Sequence, residues 1–168
     1  MRSITKHIGL LTAAAGLLLG AGGCSEEVKP TPVTYSQLLT GKESKAWRLT
    51  NIRVIDDGED SGPINVQGAF DPCVADDLYV FYANDIKTFE VQEGTSKCSA
   101  GDPDVFVENT WSMVNATATL SFVMPLLTTQ FALPFTVKSL TENNLTVEFY
   151  FEDIDLSYRF TFAAQTGR

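Results

Sequence analysis

The 168-residue chain is poor in the side chains on which most enzyme and metal chemistry rests. It has one histidine, His7, and three cysteines, Cys24, Cys73 and Cys98. Basic residues are scarce, with 12 Lys and Arg against 21 Asp and Glu. No apolar run reaches the roughly 20 residues that a helix needs to cross a hydrocarbon core of about 30 Å. A P-loop, a dinucleotide fingerprint and any other Gly-rich phosphate loop are missing. At 44% hydrophobic and 20% charged, the composition excludes disorder, collagen-like repeats and a multi-span membrane protein. This length fits one domain with a sizeable core.

What is present begins with an address. Arg2 and Lys6 form a positive start, residues 8–20 are uncharged and apolar, and Ala21-Gly22-Gly23 leads to Cys24. A charged start, a short apolar stretch and a small-residue site make a secretory signal over residues 1–23. The segment resembles a bacterial lipoprotein signal, although Ala21 stands where Leu is usual. That resemblance implies acylation of Cys24, and so a membrane as partner through an N-terminal lipid anchor. Residues 24–33 are then the lipidated Cys and a polar, Pro-bearing tether with a reach of about 30 Å. Acidic Ser25-Glu26-Glu27 resembles a surface-export signal. The expected location is the outer membrane, at the cell surface rather than on the periplasmic face.

Cleavage removes Arg2, Lys6 and His7, leaving 10 basic and 21 acidic residues, a formal charge of −11. Such a surface argues against nucleic acid as a partner. Without histidine, Ser-His-Asp and Cys-His catalysis and histidine-ligated zinc are excluded. No catalytic residue, metal or cofactor is expected. Cys73 and Cys98, in an oxidising compartment and with no metal-binding spacing, read as a disulfide.

In the domain, residues 34–168, the run 34–41 reads as a short helical turn with Thr34 as N-cap and Gly41 as stop. Period-two alternation then predicts eight strands, 46–55, 77–83, 86–92, 105–114, 118–125, 132–140, 145–152 and 155–164. A turn at Asp153-Ile154 pairs Phe151 with Leu156, Phe149 with Tyr158 and Val147 with Phe160. A turn at Asn84-Asp85 pairs Val80 with Phe89 and Leu78 with Val91, and brings Cys73 opposite the neighbourhood of Cys98. Successive antiparallel strands with one apolar face each make an up-and-down barrel or a sandwich.

The order of short motifs adds a family. Lys45-Ala46-Trp47-Arg48-Leu49 follows the helical turn; then come Cys73-Val74-Ala75-Asp76-Asp77, Phe81, Cys98, Asn109-Thr110-Trp111-Ser112 and Leu140-Thr141-Glu142-Asn143-Asn144-Leu145. Over residues 36–164 this order is similar to the lipocalin-like domains of bacterial lipoproteins, members of the calycin group. Lipocalins carry Gly-x-Trp on the first strand, and here Lys45 occupies the Gly position. The resemblance implies an all-β, eight-stranded antiparallel up-and-down barrel with a short N-terminal helical turn. It also implies an Arg on the last strand stacked over the first-strand Trp. Arg159 is the candidate, and the alternative reading is an outward, solvated side chain.

The resemblance further implies a cavity for a small hydrophobic or amphipathic molecule. Its lining would come from Trp47, Phe89, Trp111, Phe122, Phe135, Phe149, Tyr158 and Phe160. So many rings also suffice to fill an eight-stranded barrel. The second reading is therefore a filled barrel that contacts a protein or glycan partner. The acidic loop Asp56-Asp57-Gly58-Glu59-Asp60-Ser61-Gly62 has carboxylates at one and five but Gly at three, and reads as solvated rather than as a calcium loop. Asp76-Asp77, Asp102-Pro103-Asp104 and Glu152-Asp153 read as turn and solubility residues.

Overall fold

The computed structural model describes residues 32–165; Cys24, the signal and nearly all of the tether lie outside the described residues. Helix α1 (Tyr35–Thr40) starts where the capping chemistry requires. The Thr34 hydroxyl accepts from the Gln37 amide, and the Gln37 side chain accepts from the Thr34 amide, so two otherwise orphaned donors are satisfied. Gly41, at φ 66°, ends it.

Strand β1 (Ser44–Asp56) is the longest. A bulge between Leu49 and Asn51 shifts its inward face from Trp47 and Leu49 to Ile52. The acidic loop is a tight reversal, with Asp57 and Gly58 both at positive φ, into two-residue β2 (Glu59–Asp60). Asp-Gly is the dipeptide such a hairpin turn favours. Arg53 pairs with Asp60 across it at 2.8 Å. There follow β3 (Ile64–Asn65), α2 (Val66–Ala69) and α3 (Pro72–Ala75). The remaining strands are β4 (Leu78–Tyr82), β5 (Thr88–Gln92), β6 (Val105–Thr110), β7 (Ser112–Val114), β8 (Thr119–Phe122), β9 (Leu133–Leu140), β10 (Asn144–Phe151) and β11 (Leu156–Gln165).

The sheet runs β6-β5-β4-β1-β11-β10-β9-β8-β7, antiparallel between neighbours. Its two ends, β6 and β7, are consecutive pieces of one strand that changes partner at Trp111. The Trp111 amide donates to the Lys87 carbonyl at 2.8 Å, which holds the crossing point. Counting β6 and β7 as one strand and setting the two-residue β2 and β3 aside leaves eight, in up-and-down order. The fold is a nearly closed all-β barrel, with α1 against its lower end and α2 and α3 at the upper end.

The last hairpin has the register that alternation predicts, Phe151 opposite Leu156, Phe149 opposite Tyr158 and Val147 opposite Phe160. Its connection is longer than two residues: a 3-10 turn at Glu152–Ile154 is followed by Asp155 at φ 49°. The β4–β5 hairpin departs by one residue. Phe81 faces Phe89 and Tyr79 faces Val91, in place of Val80 with Phe89 and Leu78 with Val91. Lys87 takes a left-handed φ of 54°, and Asn84 bonds Thr88 through both its side-chain atoms, so the loop is longer than two residues. Both faces of β4 are apolar and buried, so the alternation rule had no polar face to fix the register.

Candidate functional site

The lower end of the barrel is sealed by side chains reaching to backbone. Trp47 is fully buried, and its indole Nε1 donates to the Leu39 carbonyl at 2.9 Å, tying β1 to α1. Lys45, the residue in the Gly position, sends Nζ to the Leu38 and Glu142 carbonyls at 2.6 and 3.1 Å. The same ammonium lies 5.0 Å from the centroid of the Trp47 ring. Burial, partly offset by Glu142, lowers its pKa. The cation over Trp47 is thus Lys45 and not Arg159. Arg159 lies on the outward side of β11, where its guanidinium grips Glu148 at 2.7 and 2.8 Å. Trp111 closes the seam in the same manner, donating from Nε1 to the Tyr82 carbonyl at 3.0 Å beneath the Lys87 ammonium.

Above this seal the rings touch one another. Phe81 and Phe89 lie 4.9 Å apart between centroids, Phe81 and Phe122 5.4 Å, and Phe122 and Phe135 4.6 Å. Toward the upper end the chain of rings continues through Phe135–Phe149 at 5.6 Å, Phe149–Phe151 at 4.7 Å and Phe151–Tyr158 at 5.8 Å. Exposure changes along this series. Trp47, Phe89, Trp111, Phe122, Phe135 and Phe160 are buried, whereas Phe149, Phe151 and Tyr158 are only half-buried. Phe70, Leu126, Leu127 and Leu133 also pack, half-buried, against the core.

The eight lining candidates therefore divide. Six belong to the packed interior, and Phe149 and Tyr158 to the apolar rim. Sequence reasoning missed Phe70 and the 126–127 pair, which come from connections without strand periodicity. It also left out Tyr79, which points inward and is buried, because the slipped register had put Val80 there.

The upper end carries acids as well as rings. Cys73 and Cys98 are bonded, with Cα atoms 5.1 Å apart, and staple α3 to the loop that follows β5. Beside this bridge one carboxylate oxygen of Asp76 accepts from the Thr95 amide and hydroxyl, both at 2.8 Å, and from the Ser96 amide at 2.9 Å. Burial works to raise the pKa of Asp76, but these bonds outweigh it and the net shift is downward. Asp77 has no such donors. It is 9% exposed, and its Oδ1 lacks a hydrogen-bond partner, as do the buried Oδ1 of Asp76 and Oε2 of Glu93. Burial, reinforced by the charges of Glu93 and Asp76, pushes Asp77 up to about 7. The upper end therefore holds an acid balanced near neutrality. Reading Asp77 as a turn and solubility residue missed this, because nothing in its sequence neighbourhood reports burial.

A family model for a lipocalin-like domain matches residues 44–147. The match begins with β1 and ends within β10. No curated protein matches the sequence.

Proposed function

This chain belongs to the lipocalin-like domain family, and on that footing we propose that it holds a small hydrophobic or amphipathic molecule at the upper end of its barrel. The observation that carries this reading is the gradient of exposure along one continuous series of rings. Phe135 is buried, while Phe149, Phe151 and Tyr158 present half-buried faces, and Leu126 and Leu127 are likewise half-buried against the core. An apolar rim over a packed floor accepts a molecule that inserts partway and keeps a polar group in water. The reading includes acylation at Cys24, anchorage in the outer membrane and display at the cell surface, on the strength of the signal-like first 24 residues.

The test is native against denaturing mass spectrometry of residues 25–168 incubated with extract of the source cells. The expected result is a small molecule retained natively, lost on denaturation, and depleted several-fold by Phe151→Ser. Anchorage is read separately: Cys24→Ser should move the full chain from the membrane to the soluble fraction, and protease added to whole cells should degrade the anchored form.

A second reading, a filled barrel with a protein or glycan partner, draws on the exposed Phe131, Tyr150 and Ile154 near the same end. Absence of any native adduct, with cross-linking to a macromolecule through Phe131 or Ile154, would favour it.

A further inference from the structure

We propose that the outer wall of the barrel carries a second binding site, for a single-headed carboxylate with an apolar body, in a groove over β1, β4 and β5 where Arg48 supplies the cation. The groove encloses about 600 Å³ and is lined by Ala46, Arg48, Leu78, Val80, Tyr82 and Gln92, among others. The strand register explains the grouping. Arg48 lies opposite Leu78, which lies opposite Gln92, and Ala46 lies opposite Val80, so these side chains form adjacent rows on the outward face. Leu78 and Val80, only 4% and 6% exposed, lie at the bottom of the groove and give it an apolar floor, unusual for an outward row, and the small side chain of Ala46 leaves room above it.

The cation is set apart by what it lacks. Among the described residues, Arg53 pairs with Asp60, Lys97 with Asp104, and Lys138 and Arg159 with Glu148. Lys45 donates to carbonyls, and Lys87 covers Trp111. Lys42, in full solvent, has no such partner and needs none. Arg48 is half-buried, and its Nε is buried with no hydrogen-bond acceptor. Buried donors without partners are exceptional in native proteins. A guanidinium left unmatched in a chain with so many carboxylates marks a place kept for an outside acid. Its planar fork matches a carboxylate in two parallel bonds, which an ammonium does not.

The far side of the groove narrows the choice. Glu90 accepts from the Tyr82 hydroxyl at 2.8 Å and the Gln92 amide at 2.7 Å, which hold its carboxylate in place one strand away from the floor. No ion pair joins it to Arg48. A ligand with one negative head at Arg48 and hydrocarbon over Leu78 and Val80 fits this arrangement. A second negative group reaching Glu90 is repelled.

The experiment follows the Arg48 Nε–H resonance and the Leu78 and Val80 methyl groups by NMR during titration with decanoate, decanol or decanedioate. Decanoate is expected to shift all three saturably, and decanol and decanedioate to bind far more weakly. Arg48→Gln should weaken decanoate by about tenfold or more while the methyl pattern stays that of the folded protein. Arg48→Lys should recover only part of the loss. Equal binding of decanol, or unchanged binding to Arg48→Gln, would overturn the site. So would decanoate shifts confined to Phe149, Phe151 and Tyr158, which would put the molecule at the rim instead. Because this groove and the rim lie on different surfaces, Phe151→Ser should leave decanoate binding at Arg48 intact.

Discussion

Lys45 shows how a departure from a family pattern is absorbed. A glycine there would leave the space beneath Trp47 to neighbouring side chains. The lysine fills it instead with an ammonium that bonds two carbonyls and lies over the indole. Lys45→Ala should lower unfolding free energy by about 1–3 kcal/mol, from lost charged hydrogen bonds and cation–π attraction, as read by urea denaturation. Asp77 acts in the opposite sense. Its carboxyl has a pKa of about 7 in the folded chain against 3.8 ordinarily, so the folded state binds the proton more tightly. Stability should therefore fall as pH rises from about 4 through 7 and level off above, by at most about 4 kcal/mol at 1.36 kcal/mol per pKa unit. Asp77→Asn should flatten this fall and raise the melting temperature at pH 8 more than at pH 5. Trp47, Trp111 and the rings were legible as core candidates because large aromatics in alternation announce burial. Asp77 was not, since burial of an acid is decided by the loop that folds over it.

Between elements, legibility followed the contrast between faces. β10 and β11 each carry one apolar and one polar face, and their register was readable from the alternation alone. β4 is buried on both faces, and its register slipped by one residue in the reading. Turns supply a further test. Ala118 takes φ 50° after the short 3-10 turn between β7 and β8, a conformation that L side chains adopt at some cost. Ala118→Gly should raise stability by about 0.5–1 kcal/mol in thermal or urea unfolding, where glycine within an extended strand would do the reverse. The Cys73–Cys98 bridge was legible from the expectation of export together with a spacing that offers no metal motif. Opening it with reductant should destabilise the domain by about 3 kcal/mol and increase amide exchange first in residues 93–104, the loop it holds.

For the whole molecule, eight strands in up-and-down order were legible from alternation, which left a barrel and a sandwich open; their closure into a barrel came from the family resemblance, and the structure bears it out. A 105–114 run reads as one straight strand, whereas it bends at Trp111 and serves both ends of the sheet. Nor could alternation tell a filled interior from an open one, since inward rings are required by both. The contacts around Phe122 describe a packed lower half: its ring meets Phe81, Phe89, Phe135 and Phe162. Phe122→Ala should cost about 3–5 kcal/mol, the range for deleting a large buried ring, and should abolish cooperative unfolding before it alters anything at the rim.

The pairing of β1 with β11 sets a timetable for folding. Ala46 lies opposite Gln165 and Asp56 opposite Leu156, so the wall is completed by residues from the two extremes of the domain. Hairpins such as β4–β5 and β10–β11 form early from near neighbours, but the ring of strands waits for β11, Leu156–Gln165, to emerge. Contacts of such long range make folding slow, and a nascent chain stopped before Leu156 holds its aromatic face open to water and to other chains. The same chain is safest when its C-terminal strand is made and docked without pause.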